Sequence, residues 1–341
     1  MEQIKKDPIA QMIEARAVLA PMSGITDIPF RLLARKFGCK FAFTEMIDVN
    51  GIVYKNRKSF RLLERVEGDA PLGVQLVGQD ADKMVSVARI CEEKGFEILD
   101  LNAGCPARKV VSCGKGSALM KEPGKLAGMV RRLVKELTIP VTVKIRSGWD
   151  EDNLNYMEVA GMLEEEGASA ICIHTRTKEQ MYKGAPSHNI VREIKERIKI
   201  PVFASGNIFS VNDIAGVIDE TKCDGVFVAR GALARPWIFR EANAFFSGGQ
   251  TGPGGGLPKD PDLDELKGII ADHFALCRRF YNDSMTFKRM YKHIVWYLKK
   301  FKNINSIMID YKKAYDQASF ENFLTRLRLD EKNRLFMEKS G

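Results

Sequence analysis

Short apolar runs rich in β-branched residues recur through the first two thirds of the chain, separated by longer amphipathic stretches. The runs are too short and too uniformly apolar for strands with an exposed face, so they predict parallel strands buried on both faces. They are AVLA (17–20), FAFTE (41–45), GVQLVG (73–78), EILDLNAG (97–104), PVTVKIRSG (140–148), SAICIHT (169–175), PVFASGN (201–207) and DGVFVARG (224–231).

Helical periodicity between these runs gives the expected fold class. Residues 80–95, 124–137 and 188–198 place apolar side chains on one helical face. Eight strands alternating with helices over about 230 residues predict an α/β fold, a (β/α)8 TIM barrel. An open doubly wound sheet is the alternative, but no G-x-G-x-x-G motif follows the first strand.

The pattern changes after the eighth strand. Residues 247–261 are rich in Gly and Pro and lack periodicity, which predicts a linker. Beyond them the pattern is helical, including the stretch from 311 to 338, and no strand is expected. The chain is therefore divided into a catalytic barrel domain (1–246), a linker (247–261) and a small C-terminal helical domain (262–341).

Composition excludes several classes of protein. With 45% hydrophobic and 28% charged residues, the chain is globular rather than disordered, collagen-like or a coiled-coil rod. No segment reaches the roughly 20 apolar residues of a membrane helix, and no secretory signal is evident. Seven cysteines without a C-x-x-C pair and four scattered histidines predict neither a disulfide framework nor a metal site. We expect a cytoplasmic protein that is a monomer, with no membrane and no metal partner.

The net charge of +9 favours a polyanionic partner. Residues 261–341 contribute five of these charges, with 16 Lys and Arg against 11 Asp and Glu. In residues 288–302, basic and aromatic side chains are interspersed, and Lys288, Lys292 and Lys299, at spacings of four and seven residues, are expected on one helical face. Taken alone, this pattern favours an ordinary amphipathic helix with its aromatics in the core and its lysines in water. A nucleic-acid surface is the alternative.

Reactive side chains follow the predicted strands at their C-terminal ends, where barrels place their active sites. Lys144 lies on a buried strand and needs an anionic partner there. His174, on the next strand, is either a core histidine or a second donor to an anion. Glycine-bearing turns follow strands seven (205–207) and eight (229–231), where barrels commonly bind phosphate.

Cys105 differs from the other cysteines because it lies in a Gly-Cys-Pro turn just past the fourth strand. A thiol there could act as a nucleophile, a proton donor or a packing group. Cys113 follows in the same loop and is a weaker candidate, and the other five cysteines are expected to pack inside helices and strands.

Seven blocks together resemble the tRNA-dihydrouridine synthases, and their DLNAGCPA and GALARPWIF segments are most similar to the bacterial B-type branch. The resemblance covers nearly the whole chain, including KHIVWYLKKF (292–301) in the helical tail. The blocks are APMSGITDIPFR, VQLVG, DLNAGCPARKV, VKIRSGW, IHTRT, ASGNI and VARGALARPWIF.

The resemblance implies an FMN-dependent reductase that converts selected tRNA uridines to 5,6-dihydrouridine, with NADPH or NADH as electron donor. Reduced flavin would supply a hydride to carbon 6 of uracil, and Cys105 would supply the proton to carbon 5. The matching positions for FMN are Pro21, Met22, Ser23, Gln75, Lys144, His174, Ser205, Gly206, Asn207, Ala229 and Arg230. The resemblance places Asn102 and Arg176 at the target base. From their charge and position, Lys288 and Lys292 on the tail and Arg108 and Lys109 at the barrel rim are expected to contact tRNA phosphates.

Two alternatives remain open on the sequence alone. An FMN-dependent barrel reductase of a small molecule, similar to dihydroorotate dehydrogenase, would share the barrel and the phosphate turns but would not need the basic tail. A non-catalytic RNA-binding protein with a decayed barrel is opposed by the presence of Cys105, Lys144 and His174. At Ala229, related proteins often have glycine, so a methyl group there could crowd the phosphate.

Overall fold

The computed structural model describes residues 6–248 and 260–338. Eight parallel strands close into a barrel in chain order, with the last strand paired to the first. The predicted TIM barrel is confirmed, and each predicted strand lies where its apolar run indicated. The strands are β1 (Ala17–Leu19), β2 (Ala42–Asp48), β3 (Leu72–Val77), β4 (Ile98–Asn102), β5 (Val141–Arg146), β6 (Ala170–His174), β7 (Val202–Ser205) and β8 (Gly225–Val228).

Helices surround the barrel and include the three that were predicted from periodicity. A 3₁₀ helix, Gly116–Lys121, also lies in the loop region after β4. The α-helices of this part are α1 (Pro8–Ala15), α2 (Ile28–Lys36), α3 (Val49–Val53), α4 (Arg57–Arg61), α5 (Ala81–Glu93), α6 (Arg108–Val111), α7 (Pro123–Glu136), α8 (Tyr156–Glu165), α9 (Asn189–Arg197), α10 (Val211–Thr221), α11 (Arg230–Ala234) and α12 (Ile238–Phe246).

Aromatic side chains fill the N-terminal end of the barrel. The rings of Phe43 and Phe203 lie 5.2 and 5.7 Å from that of Phe227. Helix α1, which sequence analysis missed, adds Met12 to this cluster. Its signal was the pair Asp7-Pro8, an N-cap side chain that accepts from a backbone N–H, followed by proline in the first turn. Because this end is packed, ligand space remains at the other end.

The C-terminal part is mainly helical, but it ends in a small sheet that corrects the sequence-based expectation. Strands β9 (Leu327–Leu329) and β10 (Leu335–Met337) form an antiparallel hairpin where residues 311–338 were predicted to be helical. The turn follows from local chemistry, since the Asp330 carboxylate accepts from the Arg334 N–H at 2.8 Å and Asn333 takes a left-handed φ of +59°. The elements are α13 (Leu263–Phe280), α14 (Asp283–Tyr297), α15 (Ile304–Tyr311), α16 (Gln317–Arg326), β9 (Leu327–Leu329) and β10 (Leu335–Met337).

The helical part packs directly on the barrel part through α2. The ring of Phe30 on α2 lies 5.0 Å from that of His293 and 5.7 Å from that of His273. Burial lowers the pKa of both histidines, that of His273 to about 3, so both rings are neutral in this apolar contact. Of the predicted linker, residues 249–259 lie outside the described ranges.

An ionic cluster at the same contact joins α14 to the loop after β1. Arg289 on α14 donates to the buried Asp27 carboxylate at 2.8 Å and lies 3.4 Å from the carboxylate of Glu45. Glu45 in turn accepts from the backbone N–H of Gly24. The position of this loop therefore depends on a residue of the helical part.

Candidate functional site

A cavity of about 760 Å³ opens at the C-terminal ends of the barrel strands. Cys105, Asn102 and Lys109 line it, as sequence analysis expected. So do all the residues expected to bind a cofactor, which the fold gathers from loops far apart in the chain. These are Pro21, Met22, Ser23, Gln75, Lys144, His174, Ser205, Gly206, Asn207, Ala229 and Arg230.

A chain of hydrogen bonds across β3, β4 and β5 fixes the floor of this cavity. Asp100, which lies opposite Gln75 and Thr142 in the sheet, accepts from their side chains at 2.6 and 2.7 Å. The oxygen of the Gln75 amide then accepts from Asn102 at 2.8 Å. A carboxylate can only accept hydrogen bonds, so Asp100 fixes which end of the Gln75 amide donates. Gln75 in turn fixes the orientation of the Asn102 amide.

The same series of hydrogen bonds positions the backbone of Cys105. The Asn102 side-chain oxygen accepts from the backbone N–H of Cys105 at 2.9 Å. On the other side, the carbonyl of Cys105 accepts from the N–H and hydroxyl of Ser117 at 3.1 and 3.0 Å. Arg146 donates to the carbonyl of Gly104 at 2.7 Å. The backbone of Cys105 is thus held on both sides while its half-buried thiol lines the cavity.

Asp100 gives a testable pH dependence. Burial raises its pKa from 3.8 to about 6, and the hydrogen bonds from Thr142 and Gln75 oppose this only in part. A carboxyl with a raised folded-state pKa stabilises the fold below pH 3.8 and loses that effect as the pH rises through about 6. At pH values above about 6, this costs the wild type about 3 kcal/mol in free energy of unfolding. We expect Asp100→Asn to remove this pH-dependent cost.

The measurement compares the free energies of unfolding of wild type and Asp100→Asn across this pH range. Any constant cost of the altered hydrogen bonds is the same at each pH, so the difference should shift in favour of the variant as the pH rises. The exposed Asp152 provides the control, Asp152→Asn, which should follow the wild type. Parallel curves for wild type and Asp100→Asn would contradict the prediction.

Positive charge concentrates at the ends of β5 to β8. The pKa of His174 is lowered to about 2, mainly by burial and in addition by the positive charges of four neighbouring side chains. No carboxylate of the described residues is among the groups that shift it. The site therefore has an excess of positive charge that an anionic ligand would balance. The cations are Lys144, Arg146, Arg176 and Arg230.

The turn after β7 leaves space for that anion. Gly206 has φ +124° and Asn207 φ +52°, so the turn needs left-handed backbone conformations. A Cβ on Gly206 would lie 3.4 Å from His174 Nε2 and 3.6 Å from Arg176 Nη1. Nδ1 of His174 and Nη1 of Arg176 are buried and have no hydrogen-bond partner. A phosphate group fits this arrangement of space and donors, and the cavity is large enough for a cofactor that carries one.

Arg176 does not lie where sequence analysis placed it. It is buried, with 1% of its surface exposed, and it is not part of the cavity wall. Its guanidinium donates to the carbonyls of Lys183 and Gly184 and to the side chain of Asn207. These contacts hold the loop after β6 and the turn after β7. Arg176 therefore has a structural role instead of the predicted contact with a substrate base.

The basic residues predicted to contact tRNA are divided between two places. Lys109 lines the cavity, whereas Arg108 is exposed on α6 outside it. Lys288 and Lys292 line a second cavity, of about 570 Å³, on the helical part. The expectation that Lys299 shares their face is wrong, because α14 ends at Tyr297 and the Lys299 amine lies over the Trp296 ring instead.

Tyr182 is a cavity residue that sequence analysis missed. It lies on the loop that Arg176 holds, and its ring is 6.3 Å from that of His174. The guanidinium carbons of Arg146 and Arg230 lie 5.7 and 5.4 Å from its centroid. An aromatic residue in an otherwise polar loop was the available signal. Tyr182 thus places an aromatic ring beside two cations in the cavity wall.

Ala229, which has φ −107° and ψ −97°, lines the cavity, and the crowding of a phosphate by its methyl group stays a prediction. Gly231, two residues further on, does need to be glycine, because a Cβ there would lie 2.1 Å from the carbonyl oxygen of Ile208.

Residues 6–248 and 260–338 contain no group of three or more His, Cys, Asp or Glu side chains placed to hold a metal ion. Across the same residues, every helix is too short or too polar to cross a bilayer.

Residues 18–329 match the family model described as dihydrouridine synthase (Dus). The tRNA-dihydrouridine synthase B of Pseudomonas putida is 38% identical over 283 residues, which cover 82% of each chain. That of Pasteurella multocida is 36% identical over 287 residues, 84% of this chain and 85% of its own. A solved 2-naphthoyl-CoA reductase complex, at 13% identity, shares the fold with a TM-score of 0.54 over 68% of this chain and 50% of its own. The chain belongs to the dihydrouridine synthase family.

Proposed function

We propose that this protein reduces selected uridines of tRNA to 5,6-dihydrouridine, with FMN as its cofactor and NADPH or NADH as electron donor. One observation carries the proposal: a half-buried cysteine and a cation-rich phosphate turn share one cavity. The membership of the dihydrouridine synthase family supports it.

The residues of the cavity divide between the two ends of the cofactor. Backbone groups of residues 205–207 and 229–230, with His174 and Arg230, bind the phosphate. Residues 21–23, Gln75 and Lys144 hold the ring system, and the amine of Lys144 stabilises negative charge on the reduced ring. FMN bound in this way supplies the hydride for carbon 6 of uracil.

Cys105 supplies the proton for carbon 5 of the base. A thiol can act as a general acid. Asn102, which holds the Cys105 backbone, orients the base next to the thiol. The base must leave the RNA stack to enter the cavity, and Lys109 at the cavity wall, with Arg108 outside it, binds the neighbouring phosphates.

The helical part, with domain bounds of 262–341, binds and orients the tRNA. Lys288 and Lys292 are exposed at its second cavity. Phosphate contacts by such lysines do not depend on base sequence, and each adds a little under one unit to the slope of log K against log salt. The protein acts as a monomer in the cytoplasm, where its free cysteines stay reduced.

The decisive experiment incubates the purified protein with NADPH and unmodified tRNA, followed by mass spectrometry of the nucleosides. A uridine heavier by two hydrogen atoms should form at a defined position and should be absent without NADPH. A parallel assay with orotate and dihydroorotate tests for a small-molecule reductase. Turnover of those compounds with unchanged tRNA would overturn the proposal.

Lys144→Ala should weaken FMN binding. Lys144 contacts the cavity from β5, and the loss of one charge-assisted hydrogen bond costs about 1.5–3 kcal/mol. We expect the dissociation constant for FMN to rise about 10- to 100-fold, measured by titrating the apoprotein.

The control for this titration is Lys125→Ala, which removes an exposed lysine on α7. It should bind FMN as the wild type does. An unchanged FMN affinity in Lys144→Ala would remove Lys144 from the cofactor site.

A further inference from the structure

The second cavity combines aromatic walls with a basic rim. Tyr291 and Tyr311 lie with ring centroids 6.1 Å apart, and the ring of Phe287 lies 5.9 Å from that of Tyr311. Tyr311 is fixed by a hydrogen bond from its hydroxyl to the Phe287 carbonyl at 2.9 Å. The residues around the opening are Phe287, Lys288, Tyr291, Lys292, Tyr311, Lys312 and Ala314.

The charges at this cavity are of one sign. Lys288, Lys292 and Lys312 are exposed, and in the part of the chain that the structure describes none of them pairs with a carboxylate. The neighbouring Lys313, which does not line the cavity, is paired with Asp310 at 2.8 Å. An apolar pocket with three unpaired cations at its rim matches a flat ring attached to an anionic backbone.

The cavity lies next to the catalytic one. A Cβ on Gly24 would lie 3.7 Å from the Lys292 amine. Gly24 follows Ser23, which lines the catalytic cavity, so Lys292 lies between the two openings. A nucleic-acid strand that leaves the catalytic cavity on this side passes Lys292 and reaches the aromatic pocket.

We propose that this pocket binds an unstacked nucleobase of the tRNA substrate, near the target uridine, with its phosphates held by Lys288, Lys292 and Lys312. The inference rests on the proposed function, since it takes tRNA as the substrate. The base stacks on the exposed side of Tyr291, where stacking is independent of base identity. A second anchored base fixes the direction in which the strand enters the catalytic cavity.

The test uses the full-length flavoprotein with two matched pairs of variants. Tyr291→Leu removes the aromatic face and keeps an apolar side chain, while Tyr315→Leu removes an exposed tyrosine outside the pocket. Lys312→Ala removes a rim charge, while Lys313→Ala removes its neighbour. Flavin content and thermal midpoint establish that each variant is folded. Ala314→Phe, which fills the pocket from its half-buried edge, provides a further variant should Tyr291→Leu unfold.

Tyr291→Leu and Ala314→Phe should raise the dissociation constant for tRNA about 5- to 100-fold with little change in salt dependence. Lys312→Ala should reduce the slope of log K against log salt by about 0.7 to 0.9. Tyr315→Leu and Lys313→Ala should bind tRNA as the wild type does. The same protein preparations are also assayed for dihydrouridine formation, so that the binding inference and the proposed reaction are tested independently.

Folded Tyr291→Leu or Ala314→Phe with wild-type tRNA affinity would overturn the inference, and the pocket would then belong to a protein partner. If wild type makes dihydrouridine in that case, the proposed function stands without the pocket. If wild type makes none but the pocket variants still lose tRNA affinity, the pocket stands and the proposed reaction fails.

Discussion

Cys105→Ala should bind flavin as the wild type does but lose about 100- to 10,000-fold in the rate of dihydrouridine formation. The change removes only the thiol, because Asn102 and Ser117 hold Cys105 through its backbone N–H and carbonyl. Water can reach the cavity and replace the thiol as a slow proton source, so a residual rate should remain.

The measurement is a single turnover with pre-reduced enzyme and excess tRNA over a short time course, which separates the chemical step from product release. Cys113→Ala is the matched control, since this thiol is exposed in the same loop and does not line the cavity. A near wild-type rate for Cys105→Ala would show that another group donates the proton.

Buried parallel strands explain why so much of the catalytic cavity was predictable. A strand covered on both faces needs an uninterrupted apolar run, so a polar residue at its end stands out. Lys144 after VTV and His174 after AICI are such cases, and both line the cavity. The two-residue period of a strand also places Asp100 and Asn102 on one face, which the hydrogen bonds to Gln75 confirm.

Residues beyond strand ends were harder to place, because a loop direction depends on tertiary contacts that periodicity does not record. Arg176 lies only two residues after His174 but turns to satisfy the carbonyls of Lys183 and Gly184. Tyr182 reaches the cavity only because this loop is held in that way. Sequence distance from a reactive residue was therefore a poor guide to its neighbours in space.

Spacing along the sequence also misplaced a residue at the end of α14, in the helical part. The spacing of Lys288, Lys292 and Lys299 fits one helical face only if the helix continues, and α14 ends at Tyr297. Lys312, which is distant in sequence, completes the basic rim instead. The rim is assembled by the packing of α15 against α14, which the pattern of a single segment could not indicate.

Arg289→Met should destabilise the folded protein by about 3–5 kcal/mol, the usual cost of leaving a buried charge unpaired. The carboxylates of Asp27 and Glu45 are only 4% and 8% exposed, and Arg289 pairs with both. Burial already raises the pKa of Asp27, and the charge of Arg289 is the main influence that lowers it. Without that charge, the folded protein must keep an isolated carboxylate or take up a proton.

Arg279→Met serves as the matched control, since Arg279 is exposed on α13 and should cost little. Because removal of Arg289 raises the pKa of Asp27 further, the destabilisation should be largest at neutral pH. It should shrink as the pH falls and Asp27 takes up a proton. A second change, Asp27→Asn, keeps a helix-capping side chain and removes one unpaired charge, so the double variant should lose less than the sum of the single ones. Unfolding curves that place Arg289→Met within about 1 kcal/mol of wild type, as for a surface ion pair, would contradict the prediction.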